Sequence, residues 1–165
     1  MKHITLLAAI LFTTAAFAQE TPLPNYMTEA EEANIADYNL NRTSGMGITT
    51  PPASPVRTMA EWEEIQSLVI TWTSFPGILT QIADHAQEEC EVIIVCSDSN
   101  SVKSTLTGNG VPLTNISFIE EDYDSIWMRD YGGNTVYKDD VDSLYLVDWI
   151  YNRPRPDDDA VPVAV

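Results

Sequence analysis

From Val56 onward the chain alternates between two hydrophobic periods. Ser67–Trp72 is a short run rich in β-branched residues, and Cys90–Cys96 encloses Glu91-Val-Ile-Ile-Val95, an almost unbroken apolar stretch. Runs of this length and composition predict buried strands. Between them, Pro76-Gly77 opens a segment in which Ile78, Leu79, Ile82, Ala83 and Ala86 recur at helical spacing. Proline suits a first helical turn, where its missing N–H forfeits nothing. Asp98-Ser99 predicts the cap of a second helix that ends at Gly108 or Gly110. Asn115–Ile119 reads as a third strand. Thr135–Tyr137 and Leu144–Trp149 read as a hairpin joined by the turn 138–143. The order β-α-β-α-β, then β-β, predicts an α/β sheet with an antiparallel hairpin added to it.

Upstream the pattern is different. Met1-Lys2-His3 is a basic start, Ile4–Phe12 an apolar run, and Ala16-Phe17-Ala18 a small-residue cleavage site. Together they predict a signal peptide over 1–18, and so a secreted, periplasmic or cell-surface protein. The apolar run is too short for a membrane-spanning helix. Residues 19–56, with Pro22, Pro24 and Thr49-Thr-Pro-Pro-Ala-Ser-Pro55, read as a leader or linker arm in which only Thr28–Tyr38 is helical. Residues 57–165 form the domain. Its end, Asp159-Ala-Val-Pro-Val-Ala-Val165, is expected either to dock as an edge strand or to be cut from a longer domain, and the second is the working expectation.

Charge narrows the partners. The chain carries 8 basic and 25 acidic residues, a net charge of −17, which becomes −18 once Lys2 is removed with the signal peptide. This argues against nucleic acid and anionic membranes as partners. It is compatible with a cationic substrate, although solubility outside the cytoplasm explains it as well. Cys90 and Cys96 flank one strand, roughly 20 Å apart, which is too far for a disulfide between them. Nothing beside either in sequence would lower a thiol pKa, so neither reads as a nucleophile.

Chemistry concentrates in two segments. Asp124-Ser-Ile-Trp127-Met-Arg129-Asp130-Tyr-Gly-Gly133 packs indole, guanidinium and carboxylate groups together. Read as extended chain, it points Trp127 and Arg129 to one side and Met128 and Asp130 to the other. A carboxylate beside an indole is a receptor for a planar cation, through paired N–H bonds and a cation–π attraction of roughly 0.5–2 kcal/mol. Spacing alone equally allows structural ion pairs for Arg129 and Asp130, with Trp127 in the core. In Tyr151-Asn-Arg153-Pro-Arg155-Pro-Asp157-Asp-Asp159, the prolines favour extended geometry at Arg153 and Arg155. Two forks about 6–7 Å apart would clamp one anion, either a substrate carboxylate or one of the adjacent aspartates.

These segments resemble a known family. Trp127-Met-Arg129-Asp130-Tyr-Gly is similar to the Trp-x-Arg-Asp-x-Gly signature of the agmatine deiminase and bacterial (Porphyromonas-type) peptidyl-arginine deiminase family of guanidine-modifying enzymes. Arg57-Thr-Met59-Ala-Glu61-Trp62 looks like its Met-Pro-Ala-Glu-Trp opening without the proline, and Tyr151–Asp159 resembles the secreted peptidyl-arginine branch. The resemblance implies a pentein fold, a pseudo-fivefold α/β propeller, here incomplete. It implies hydrolysis of a guanidinium to a ureido group and ammonia through a cysteine-linked intermediate, with no cofactor and no metal. Carried over by motif, Asp130 is one of two aspartates gripping the guanidinium, Trp127 lines the pocket, and Arg153 and Arg155 hold the carboxylate of a C-terminal arginine. The family's nucleophilic cysteine and His-x-Asp have no counterpart here, since His85 is the single histidine after the signal peptide. The expected ligand is an arginine-containing peptide or a small guanidino compound. Agmatine deimination is the alternative activity, and a non-catalytic secreted module binding arginine-rich ligands is the alternative class. Exposed strand edges predict poor solubility of the isolated chain.

Overall fold

Hydrophobic period and turn chemistry place most elements where the sequence predicts them. The structure is a computed structural model that describes residues 22–41, 50, 52–141 and 143–165, so the signal-peptide segment lies outside the described residues. In chain order the elements are α1 (Glu29–Asn41), β1 (Val56–Thr58), β2 (Ser67–Thr71), α2 (Pro76–Ala86), β3 (Glu91–Cys96), α3 (Ser99–Gly108), β4 (Ile116–Glu120), α4 (Met128–Tyr131), β5 (Asn134–Lys138), β6 (Ser143–Val147) and α5 (Pro156–Ala164). Among the described residues no helix is long and apolar enough to cross a membrane.

The strands β2, β3 and β4 pair in parallel, with Leu68 opposite Val92 and Val92 opposite Ile116. Alternation along β3 explains why its run is apolar throughout. Val92, Ile94 and Cys96 pack with Leu79 and Ala83 of α2 and Val102 and Leu106 of α3. Val95 points to the opposite face, against Tyr131, Tyr151 and Val161. Both faces of this parallel sheet are therefore covered. The Asp98 side chain caps α3 as expected, accepting from the N–H groups of Asn100 at 2.9 Å and Ser101 at 3.4 Å. Gly110 follows at φ +82°, the left-handed conformation that ends helices with least strain.

Three expectations need correction. The hairpin β5–β6 does not extend the parallel sheet. It forms a separate antiparallel sheet of order β1-β5-β6, in which Arg57 lies opposite Tyr137. The Arg57 guanidinium sits 4.9 Å from the centre of the Tyr137 ring and holds Glu63 through two bonds of 2.7 and 2.8 Å. That contact pulls a three-residue segment too short to be legible as a strand onto the hairpin. The alternative of an edge strand over 159–165 is not met, because residues up to Ala164 continue α5. Pro156 occupies the first turn with Asp157, Asp158 and Asp159, a composition that complements the positive end of a helix. Trp127–Asp130 is not extended either: it is the start of the single helical turn α4, closed by bonds from Asp130 N–H and Tyr131 N–H to the Trp127 carbonyl at 2.8 and 3.2 Å.

Candidate functional site

Tyr131 is the residue that fixes the turn. It is fully buried, its hydroxyl is paired with that of Thr71 at the end of β2, and it also donates to the Ser125 carbonyl at 3.1 Å. Burial drives its phenol pKa far up, so it remains neutral. With Tyr131 anchored, the turn places Trp127, Arg129 and Asp130 in the lining of a groove of about 430 Å³, together with Phe75 and Ile78 at the start of α2. Asp130 is half-buried, and among the described residues it takes part in no ion pair. The structural-pair alternative for Arg129 and Asp130 therefore finds no partner in the described residues.

A second cavity, about 520 Å³, opens at the C-terminal ends of β2 and β4, where open parallel sheets place their ligands. Thr73, Ser74 and Tyr123–Ile126 line it, and Pro22 and Leu23 close it from the arm. Ser74 holds φ +53°, a left-handed conformation uncommon outside glycine.

The loop that leads into the turn is held from α5. Asp158 accepts from Asp124 N–H and Ser125 N–H, both at 2.9 Å, and from the Ser125 hydroxyl at 2.6 Å. Asp124 returns the contact by accepting from Asp157 N–H at 3.1 Å and Asp158 N–H at 3.4 Å. Asp159 accepts from Tyr151 N–H at 2.6 Å. Asp158 and Asp159 thus serve the backbone, and sequence reasoning missed this role. The signal was present as Pro156 followed by three acids, which marks a helix start.

The two arginines take different environments. Arg153 places its guanidinium 5.9 Å from the centre of the Tyr151 ring. The bond from Arg155 N–H to the Arg153 carbonyl, 2.8 Å, closes a tight turn, so the expected extended spacing is not adopted. Arg155 is 1 % exposed and reaches back to the arm. Its Nε donates to Glu31 Oε1 at 2.7 Å; its Nη2 donates to Glu31 Oε2 at 3.2 Å and to the carbonyls of Pro24 and Tyr26 at 2.8 and 3.2 Å. Trp127 meets the same arm, donating from its indole to the Leu23 carbonyl at 2.8 Å. Burial alone would lower the Arg155 pKa; the Glu31 contact more than reverses this, and the net shift is upward.

Residues 57–154, more than half of the chain, match the family of Porphyromonas-type peptidyl-arginine deiminases. The chain belongs to this family. Its fold is shared with two solved structures. One is C. jejuni agmatine deiminase, with TM-score 0.54 and 19 % identity over 66 % of this chain and 35 % of that one. The other is a Porphyromonas gingivalis protein solved under the name of arginine deiminase, with TM-score 0.55 and 18 % identity over 66 % of this chain and 36 % of that one. The chain therefore spans about a third of the length of these structures, and at such identity the likeness is one of mixed α/β fold. Of the deiminase-like opening motif, Trp62 is 88 % exposed, and Glu63 rather than Glu61 makes the contacts, to Arg57 and to Ala60 N–H at 2.7 Å.

Two predictions belong to this geometry. A Cβ at Gly132 would overlap the Met128 carbonyl oxygen, to which Gly132 N–H already donates. Gly132→Ala is expected to force the α4 turn open at a cost of about 1–3 kcal/mol. A melting curve and Trp127 fluorescence matching the parent would refute this. The second concerns acid. The hydrogen bond from Arg155 lowers the Glu31 carboxyl from 4.5 to about 2. A carboxyl depressed in the folded state stabilises above its unfolded pKa and loses that contribution as pH falls toward the folded one. Asp124 and Asp158 are shifted the other way, raised by burial, so they do not add to acid lability. Hydrogen exchange of residues 22–31 is expected to accelerate relative to β3 as pH falls from 4.5 toward 2, after correction for intrinsic rates. Equal protection across that window would contradict the sign.

Proposed function

We propose that this chain forms one wall of a secreted protein-arginine deiminase site, within the first part of a pseudo-fivefold pentein propeller. The mature protein would begin at Gln19, with residues 19–56 as the arm and 57–165 as the N-terminal part of the catalytic domain. Asp130 grips the guanidinium nitrogens, Trp127 covers the plane of the group, and Arg153 and Arg155 receive the carboxylate of a C-terminal arginine. The reaction adds water to the guanidinium carbon through a cysteine-linked intermediate and releases ammonia, giving citrulline without a cofactor. The observation that carries the reading is the groove itself: one short turn brings to its lining an indole and a carboxylate that has no ion-pair partner among the described residues, in a member of this family.

The nucleophile and the acid–base histidine are supplied by sequence outside these 165 residues. Cys90, Cys96 and His85 do not line the groove. Burial, with Glu120 nearby, raises the Cys96 thiol and works against a thiolate. The 165-residue chain alone is therefore expected to make no citrulline from an arginine peptide. The deciding assay gives the natural gene product that contains this chain a peptide ending in arginine and, separately, agmatine. Citrulline from the peptide supports the reading, and a preference for agmatine overturns it. Agmatine deimination has one observation in its favour: Glu31 already neutralises Arg155, and agmatine brings no carboxylate.

A further inference from the structure

We propose that the N-terminal arm is an internal occupant of the substrate rim, with the Glu31 carboxylate standing on Arg155 where the substrate's carboxylate would stand. The inference rests on the site reading above and adds its regulation. Two of the four side chains assigned to substrate, Trp127 and Arg155, are engaged by one stretch of ten residues, 22–31. The acceptors it offers are one carboxylate and the backbone carbonyls of Leu23, Pro24 and Tyr26. That is the acceptor set of an extended peptide ending in a free carboxylate. While the arm is docked, Arg155 is 1 % exposed and no external anion reaches it.

The arm is also built to leave. Among the described residues, helix α1 has no fully buried side chain. Its first turn is held locally: Thr28 N–H donates to Glu31 Oε2 at 2.7 Å, and Glu31 N–H donates to Thr28 Oγ1 at 3.3 Å. This is a capping box, which supports a helix from within its own sequence. The polar contacts that fasten the segment to the domain are the buried Arg155 fork and the Trp127 indole. A peptide presenting a better-placed carboxylate competes for the same donors, and Arg155 Nη1, buried without an acceptor among the described residues, is available to it as well. The occupied fraction sets the apparent affinity: an arm docked about nine-tenths of the time weakens substrate binding about tenfold.

The test uses the natural gene product containing the arm. Glu31→Gln keeps the capping box and the side-chain shape and removes the charge. It is expected to lower KM about tenfold for a peptide ending in a free arginine carboxylate, and to leave KM for the C-terminally amidated peptide unchanged. Hydrogen exchange of residues 22–31 in the unmodified protein gives a second readout that needs no turnover. The free-carboxylate peptide is expected to speed exchange there, and the amidated peptide is not. Turnover with an unchanged KM in Glu31→Gln and unchanged arm exchange would overturn the inference and leave the deiminase reading standing. Absence of turnover with carboxylate-dependent arm release would do the reverse. Absence of turnover and of arm release would sink both.

Discussion

Asp158→Ala is expected to destabilise the fold by about 3–5 kcal/mol. The Asp158 side chain is fully buried and accepts three hydrogen bonds from Asp124 and Ser125. Alanine would leave two backbone N–H groups and a hydroxyl buried without an acceptor, each costing roughly 1–3 kcal/mol before relaxation. The charge also stands in the first turn of α5, where the helix favours an anion. Asp158→Asn keeps an acceptor oxygen and is expected to cost about half as much. Denaturant unfolding of the natural gene product measures both. A loss below about 1 kcal/mol for the alanine variant would mean that the loop finds other acceptors, and that α5 does not hold the site turn.

Asp130→Asn is expected to lower kcat/KM of that gene product on an arginine peptide by roughly 100- to 1000-fold, the usual consequence of removing one well-placed charge partner. A neutral amide offers one acceptor and sets its own N–H donors against those of the guanidinium, so the paired bonds of a carboxylate cannot form. The stability cost is expected to stay within about 0.5 kcal/mol, because Asp130 is only half-buried and has no ion-pair partner among the described residues. Those two readouts together separate binding from folding. Activity within tenfold of the parent would remove Asp130 from the site, and an activity loss that tracks the melting temperature would make it a structural residue.

The parallel half of the fold was legible because its information is local. The run 91–95 is long enough only for a strand, Pro76 and Asp98 mark helix starts, and Gly108 and Gly110 mark an end. The antiparallel half was legible only in part. The hairpin has its own turn residues, but the three-residue β1 forms by pairing with a strand about eighty residues later, and nothing within Val56–Thr58 announces that. The α4 turn was misread as extended because its four residues carry no helical period. Burial of Tyr131 between Thr71 and Ser125 selects the helical turn.

Residue identity alone named the candidate chemistry: an indole and a carboxylate in Trp127–Asp130, two guanidinium groups in Arg153 and Arg155, and membership of a guanidine-modifying family. Tertiary structure decided what each group touches. It left Asp130 facing a groove, gave Asp158 and Asp159 of α5 to backbone N–H groups, and paired Arg155 with Glu31, 124 residues earlier in the chain. The division has a physical cause. Strand period, helix caps and turns depend on neighbours a few residues away, whereas a buried charge takes whichever opposite charge the folded chain brings within about 3 Å of it.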